Sequence, residues 1–391
     1  MKLVSHRINS IDFMRGLVIV IMAIDHIRDL LHTTSLSNDP LDLSTTSPAL
    51  FMTRWITHLC APVFVFLAGV SVYLSIKDQN DISGSTRFLR KRGLLLIFLE
   101  LTVIGFGIWS DIYFRTFLLQ VIFAIGAGFF ILSFLLRIPS RTLGLIGIAI
   151  IILHNLTPYV KIEKETPLGF IWTLLFDRGF FPIGENRGFM IAYPVIPWLG
   201  LMLCGFGFGE VFTRDTKKRL RILLIAGCTT FIAFAGLRYF NLYGDRSTWS
   251  VQSSNLHTFF SFINLTKYPP SLLYASITLS IMFFIMYLAD QRDNFFTRIF
   301  VVYGRVPMFF YILHWYIVHL SMFVMIRLQG VEWSDMPFGV MQFGRPASGV
   351  GLHLPYIYIY WISLLICMYP LCRWFGRYKA DNRHIGWLKY I

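Results

Sequence analysis

An apolar run at residues 9–32 is interrupted by Asp12, Arg15, Asp25, His26, Arg28, Asp29 and His32. A charge at membrane depth costs several kcal/mol unless it is paired or hydrated, so these groups must face the protein interior or water. On a helix, Arg15 and His26 lie within about 20° of each other and about 16 Å apart along the axis. An arginine at one rim can hold a phosphate. A histidine one pantetheine arm deeper can act as base towards an alcohol or amine, and Asp25 or Asp29 could fix its tautomer. The structural alternative is an Asp/Arg network that pins helix packing, with His26 satisfying a backbone carbonyl.

Two other stretches add to this set. Arg54 and His58, spaced i, i+4, share a helix face and precede Pro62, Gly69 and Ser71, which permit kinking and close helix approach. Arg305 precedes Tyr311, His314 and His319; His314 would lie about 13 Å deeper than Arg305 and on one face with Tyr311. Glu100 and Gln120 are isolated polar groups that read as packing hydrogen bonds.

Composition indicates which elements must hold these residues. The 391 residues are 55% hydrophobic and 14% charged, too little charge for an ordinary soluble domain. Segments suited to spanning a bilayer run at 9–31, 51–76, 93–113, 116–136, 142–157, 189–212, 222–240, 270–289, 299–326 and 355–372. The expectation is an all-α polytopic integral membrane protein of about ten transmembrane helices, forming one transmembrane domain over residues 1–391. The third to fifth segments are close enough for one of them to be re-entrant. Basic residues alternate between loops: Lys2 and Arg7, Lys77 to Arg92, Arg137 and Arg141, Arg214 to Arg221, Arg292 and Arg298, and Arg373 to Lys389 fall on one side. The positive-inside rule makes that side, and both termini, cytoplasmic. The long loops at 158–188, 241–268 and 327–354 could cap a pocket on the opposite side.

The net charge of +14 then orients helices, and nucleic-acid binding is not expected, because no basic stretch is interleaved with aromatics. Cys60, Cys204, Cys228, Cys367 and Cys372 form no CxxC or Cys/His metal spacing and read as small core residues. The first apolar run is too charged and too long for a cleavable signal peptide, so it is expected to stay as helix one. Phosphate-loop, nucleophile-elbow and zincin motifs do not occur, and no metal is expected.

The opening RINSIDFMRGLVIVIMAIDHIRD (Arg7–Asp29) resembles the R-x-x-S-x-D-x-x-R-G-x-x-x-x-x-M start of the heparan-α-glucosaminide N-acetyltransferase catalytic-domain family, particularly its shorter bacterial members. ITHLCAPVFVFLAG (Ile56–Gly69) resembles the second-helix motif ending P-x-F-x-F-x-x-G. YPVIPWLGLMLCG (Tyr193–Gly205), KYPPSLLYASITL (Lys267–Leu279), YGRVPMFFYILHWYIVHL (Tyr303–Leu320) and YPLCRWFGRYKA (Tyr369–Ala380) are similar to the bacterial branch, in order along nearly the whole chain.

This resemblance implies an acyltransferase of the bacterial inner membrane. It would move an acetyl group from cytoplasmic acetyl-CoA, its co-substrate, to a sugar amine or hydroxyl on the far side. The lysosomal enzymes align an asparagine with His26 and an aspartate with His58; their catalytic histidine falls in the loop after helix one, where His32 is the nearest histidine here. On this reading the donor phosphates lie near Arg15, Arg305 and the basic run that includes Arg87 and Arg92. His26 is the base, oriented by Asp25, with His58, His32 and His314 as alternates. Arg28, Asp29, Arg54 and Tyr311 complete the substrate side. The rival is a transporter, or a lipid- or glycan-binding membrane protein, whose buried charges line a pathway. A homodimer stays open.

Overall fold

Long apolar runs satisfy their backbone polar groups in lipid only as helices or closed barrels, and here they form helices. The protein is seen in a computed structural model that describes residues 9–79 and 81–390; Lys2 and Arg7 lie outside the described residues. Helix α1 (Asn9–Leu31) is followed by α2 (Pro48–Ile56) and α3 (Cys60–Gln79), joined by a 3₁₀ turn, and then by α4 (Ile82–Leu99), which runs through a π-turn into α5 (Gly105–Trp109). Next come β1 (Thr116–Leu119), α6 (Val121–Leu135), α7 (Ser140–Leu153), α8 (Pro167–Phe176), β2 (Gly179–Ile183) and β3 (Arg187–Ile191). Helices α9 (Val195–Phe208), α10 (Thr216–Tyr239), α11 (Asn255–Ile263), α12 (Leu272–Ala289), α13 (Phe295–Gly304) and α14 (Pro307–Leu328) follow. The hairpin β4 (Phe338–Gly339) and β5 (Gln342–Phe343) precedes the last helix, α15 (Leu354–Asp381).

Among the described residues, 8 stretches are long and apolar enough to cross a membrane: Pro48–Lys77, Ile82–Trp109, Ser140–Tyr159, Val195–Thr213, Thr216–Tyr239, Leu272–Ala289, Pro307–Leu328 and Leu354–Asp381. The protein is an all-α polytopic membrane protein. Three expected segments depart from this pattern. Helix α1 has the length, 23 residues, but carries the ionisable stripe. The segment at 116–136 begins as a strand and leaves a 15-residue helix. The segment at 299–326 breaks between α13 and α14, because Pro307 holds Val306 out of the helical region at φ −134°, ψ 49°. Cys228 and Cys367 are exposed rather than core residues.

Helix α1 packs against α3, α12, α13, α14 and α15, so its polar stripe is enclosed by protein. Glycines allow the closest crossings. A Cβ on Gly304 would collide with the Asp12 carbonyl oxygen, and one on Gly16 with that of Phe300, so α1 and α13 meet backbone to backbone. Gly69 and Gly205 do the same where α3 crosses α9. Gly304→Leu is expected to cost about 1–3 kcal/mol by overpacking and to lower the detergent-solubilised Tm by several degrees. An unchanged Tm would mean that this crossing is loose.

At the end of the bundle that carries the long loops, β3 pairs in parallel with β1 (Thr116 opposite Gly188) and antiparallel with β2. Buried Arg345 donates to the carbonyls of Leu30 and His32 at 2.9 and 2.7 Å, capping the C-terminal end of α1 with a cation. This folds the 327–354 loop over α1. Pro62 lacks an amide proton and frees the His58 carbonyl four residues back, which takes the Tyr274 hydroxyl at 2.7 Å. That bond ties the α2–α3 corner to α12 and fixes the positions of Arg54 and His58.

Candidate functional site

Helices α1 and α14 bring His26 and His314 together, with His26 Nδ1 2.7 Å from His314 Nε2. The other nitrogen of His314, Nδ1, lies 3.1 Å from the Phe310 carbonyl oxygen. A carbonyl can only accept, so in the neutral pair His314 Nδ1 carries the proton and its Nε2 accepts from His26 Nδ1–H. The lone pair on His26 Nε2 is left free. The imidazole of His26 also stacks on Trp315, with ring centroids 4.1 Å apart. His314 is fully buried, while His26 keeps some access to solvent.

Asp25 was expected to orient His26, but its carboxylate is held elsewhere. It accepts from Arg28 Nη2 at 2.9 Å and from Arg54 Nη1 at 3.3 Å. Arg28 also donates to Asp29 at 2.6 Å. Asp29 keeps 51% of its side chain open, facing space at the loop end of α1. Lys267, in the segment before α12, is buried beside the ring of Tyr268 and within electrostatic range of Asp25, His26 and His58. Asp245 fixes that segment by accepting from Thr266 N, Thr266 Oγ1 and Ser271 Oγ at 3.0, 2.8 and 2.6 Å. His58 is buried, and its Nε2 has no hydrogen-bond partner among the described residues. His32 lies beyond α1 in the loop, where burial and the charges of Arg28 and Arg345 hold it down at about 4. Its Nδ1 is 3.2 Å from the Thr34 hydroxyl, so its neutral ring serves the loop.

A cavity of about 290 Å³ approaches the histidine pair from the opposite end of the bundle. Arg15, Ile19 and Met22 line it, and they lie on the face of α1 that His26 continues. From α14, Met308 and Tyr311 line it, one turn before His314. Its mouth carries Arg15, Arg92, Arg305, Lys379 and Lys389. Its inner end is Tyr311, whose ring centroid is 6.1 Å from that of His26. The Tyr311 hydroxyl donates to Gln120 Oε1 at 3.3 Å.

Three of the four cations expected at the donor end therefore converge, and one does not: Arg87 is exposed on α4, away from the cavity. Arg15 is held by the Leu67 carbonyl at 3.2 Å, by the Ser71 hydroxyl and by Asp12 at 3.6 Å. Arg305 sits 3.9 Å from the other Asp12 oxygen. Arg92 lies over the Phe129 ring at 5.3 Å, and its buried Nε has no acceptor among the described residues. Lys267, Lys379 and Lys389 were not singled out in the sequence because they read as loop charges. Among the described residues, no three His, Cys, Asp or Glu side chains are grouped as a metal site.

Fold and site together define a polytopic membrane protein with a basic cavity whose lining residue Tyr311 packs against His26 of the histidine pair. Residues 7–243 match the family described as heparan-alpha-glucosaminide N-acetyltransferase, catalytic, and the chain belongs to that family. Membership makes it a transmembrane protein of the acetyltransferase class. The match takes in α1 to α10, whereas α12 to α15, which supply Arg305, Tyr311, His314 and Lys379, lie beyond it. No curated protein matches the chain.

Proposed function

We propose that the protein is an acyl-CoA-dependent acetyltransferase that moves an acetyl group from cytoplasmic acetyl-CoA to an amine or hydroxyl of a sugar or glycan on the other side of the membrane. The cavity carries this reading, because its basic mouth opens at one end and its inner end stops one aromatic ring from His26. The topology that goes with it has ten crossings, counting α1 and α6, with both termini in the cytoplasm and a single transmembrane domain over 1–391. The membrane is then the bacterial inner membrane.

The donor phosphates meet Arg15, Arg92 and Arg305, and the pantetheine arm runs along the Ile19 and Met22 face of α1. The thioester comes to rest at Tyr311. An acceptor entering from the loop end, past Asp29, presents its N–H or O–H to His26 Nε2. As its heteroatom attacks the thioester carbonyl, the proton passes to His26 and the C–S bond then breaks. The CoA thiolate leaves with that proton. His314 holds the ring of His26 in place and shares the imidazolium charge; Asp25, Arg28 and Arg54 shape the acceptor wall. A thioester is activated enough for positioning and one base to supply much of the acceleration.

Purified protein incubated with labelled acetyl-CoA and a panel of amino sugars, neutral sugars and glycans is expected to transfer label to at least one acceptor. Substrate counterflow in proteoliposomes without CoA, together with no acetyl-CoA binding by folded protein, would move the assignment to a transporter.

A further inference from the structure

The C-terminal end of α15 does not simply leave the bundle. Cys372, Gly376 and Ala380, at i, i+4 and i+8, put a row of small side chains on one face and leave a groove against Val302 and Val306 of α13 and its exit. Beyond Asp381 the chain turns back, Leu388 is buried, and Tyr390 stacks on Phe88 of α4 with ring centroids 5.1 Å apart. The returning segment borders the groove through Ile385, Leu388 and Lys389, leaving a half-open cavity of about 660 Å³. Arg305, Arg373, Arg377, Lys379, Arg383 and Lys389 line it, and no carboxylate does. Positive-inside bias accounts for basic residues near this end, but not for a half-open groove floored by small residues. Arg305, Lys379 and Lys389 also line the donor cavity, so the two spaces meet at these three cations.

We propose that this second cavity binds the 3′-phosphorylated adenosine end of the donor, so that residues beyond the family-matched segment select intact acyl-CoA. The inference rests on the acyl-CoA reading above. The donor's diphosphate lies where the two cavities meet, between Arg15 and Arg92 on one side and the shared Arg305, Lys379 and Lys389 on the other. Its pantetheine arm then enters the narrow cavity towards Tyr311, and its 3′-phosphate turns outward to Arg377 and Arg383. The volume suits a nucleotide, since small-molecule pockets run from about 300 to 1,000 Å³. Arginines give a phosphate paired, charge-assisted hydrogen bonds.

The test uses full-length protein in detergent and the double variant Arg377→Ala/Arg383→Ala. Wild type is expected to favour acetyl-CoA over acetyl-dephospho-CoA by about tenfold or more in kcat/KM, and the double variant to lose that preference. Calorimetry with adenosine 3′,5′-bisphosphate alone is expected to show binding to wild type and at least about tenfold weaker binding to the variant. Equal use of the two donors by wild type overturns the proposal. So does a variant whose only loss is stabilisation by phosphatidylglycerol vesicles, which would make the cavity a lipid-headgroup site. If wild type transfers no acetyl group yet binds the bisphosphate through Arg377 and Arg383, the acyltransferase reading fails and the nucleotide cavity stands. If it neither transfers nor binds, both fall.

Discussion

His26→Ala is expected to lower the rate of acetyl transfer by about 10²- to 10⁴-fold, the usual contribution of a positioned general base, while acetyl-CoA still binds. The donor cavity is lined by Ile19, Met22 and Tyr311 and not by His26, so removing the imidazole leaves the donor's contacts in place. Alanine also removes the stack on Trp315, whose centroid separation is 4.1 Å, which costs about 1 kcal/mol of packing. His26→Phe keeps a ring on Trp315 but has neither Nε2 nor the Nδ1–H that His314 accepts; it is expected to be as inactive as the alanine variant, with a Tm no lower than that variant's. In the proposed mechanism His314 acts through His26, whose Nδ1 lies 2.7 Å from His314 Nε2. His314→Asn is therefore expected to slow transfer less than His26→Ala and to displace the pH–rate profile, which a purely structural defect would leave in place. Full turnover by His26→Ala, measured as labelled acetyl transfer to acceptor, would remove His26 as the base.

The cavity-lining face of α1 was legible in the sequence because it depends on one helix. Arg15, Ile19, Met22 and His26 follow the 3.6-residue period, so a local rule placed the three cavity-lining residues and His26 on one line. The family motifs were legible for a related reason: Gly16, Gly69, Gly205 and Gly304 mark backbone crossings that tolerate no side chain. Asp25 was misjudged because adjacency in sequence suggested contact. Residues i and i+1 on a helix point about 100° apart, and Asp25 turns to Arg28 and Arg54 instead. The partner of His26 sits 288 residues away, on a helix whose register the primary sequence does not state. Arg87 and Arg92 belonged to one basic run, and only packing decides which of them faces Phe129 and which faces out. Lys379 and Lys389 reach the narrow cavity because the tail folds back, a tertiary event that periodicity does not encode.

Arg92→Met is expected to raise the KM for acetyl-CoA about 10- to 100-fold, the loss of one charge-assisted contact to phosphate worth about 1.5–3 kcal/mol. Arg92 differs from the other cations at the mouth. Arg15 rests on Asp12, Ser71 and the Leu67 carbonyl, and Arg305 sits near Asp12, whereas the buried Nε of Arg92 has no acceptor. Its guanidinium lies over the faces of Phe129 and Phe88, at 5.3 and 6.0 Å. A buried donor without an acceptor destabilises the free protein, and a flexible apolar side chain of similar length removes that cost. The variant should therefore hold or raise Tm while it loses donor affinity, the opposite of what removing a structural contact would do. Arg87→Ala, on the exposed face of the same helix, is the comparison, with KM expected within about twofold of wild type because exposed charges outside a site contribute little. Steady-state kinetics at two ionic strengths and a thermal melt on each variant decide the matter. A lower Tm for Arg92→Met with KM unchanged would make Arg92 a structural cation and leave donor recognition to Arg15 and Arg305.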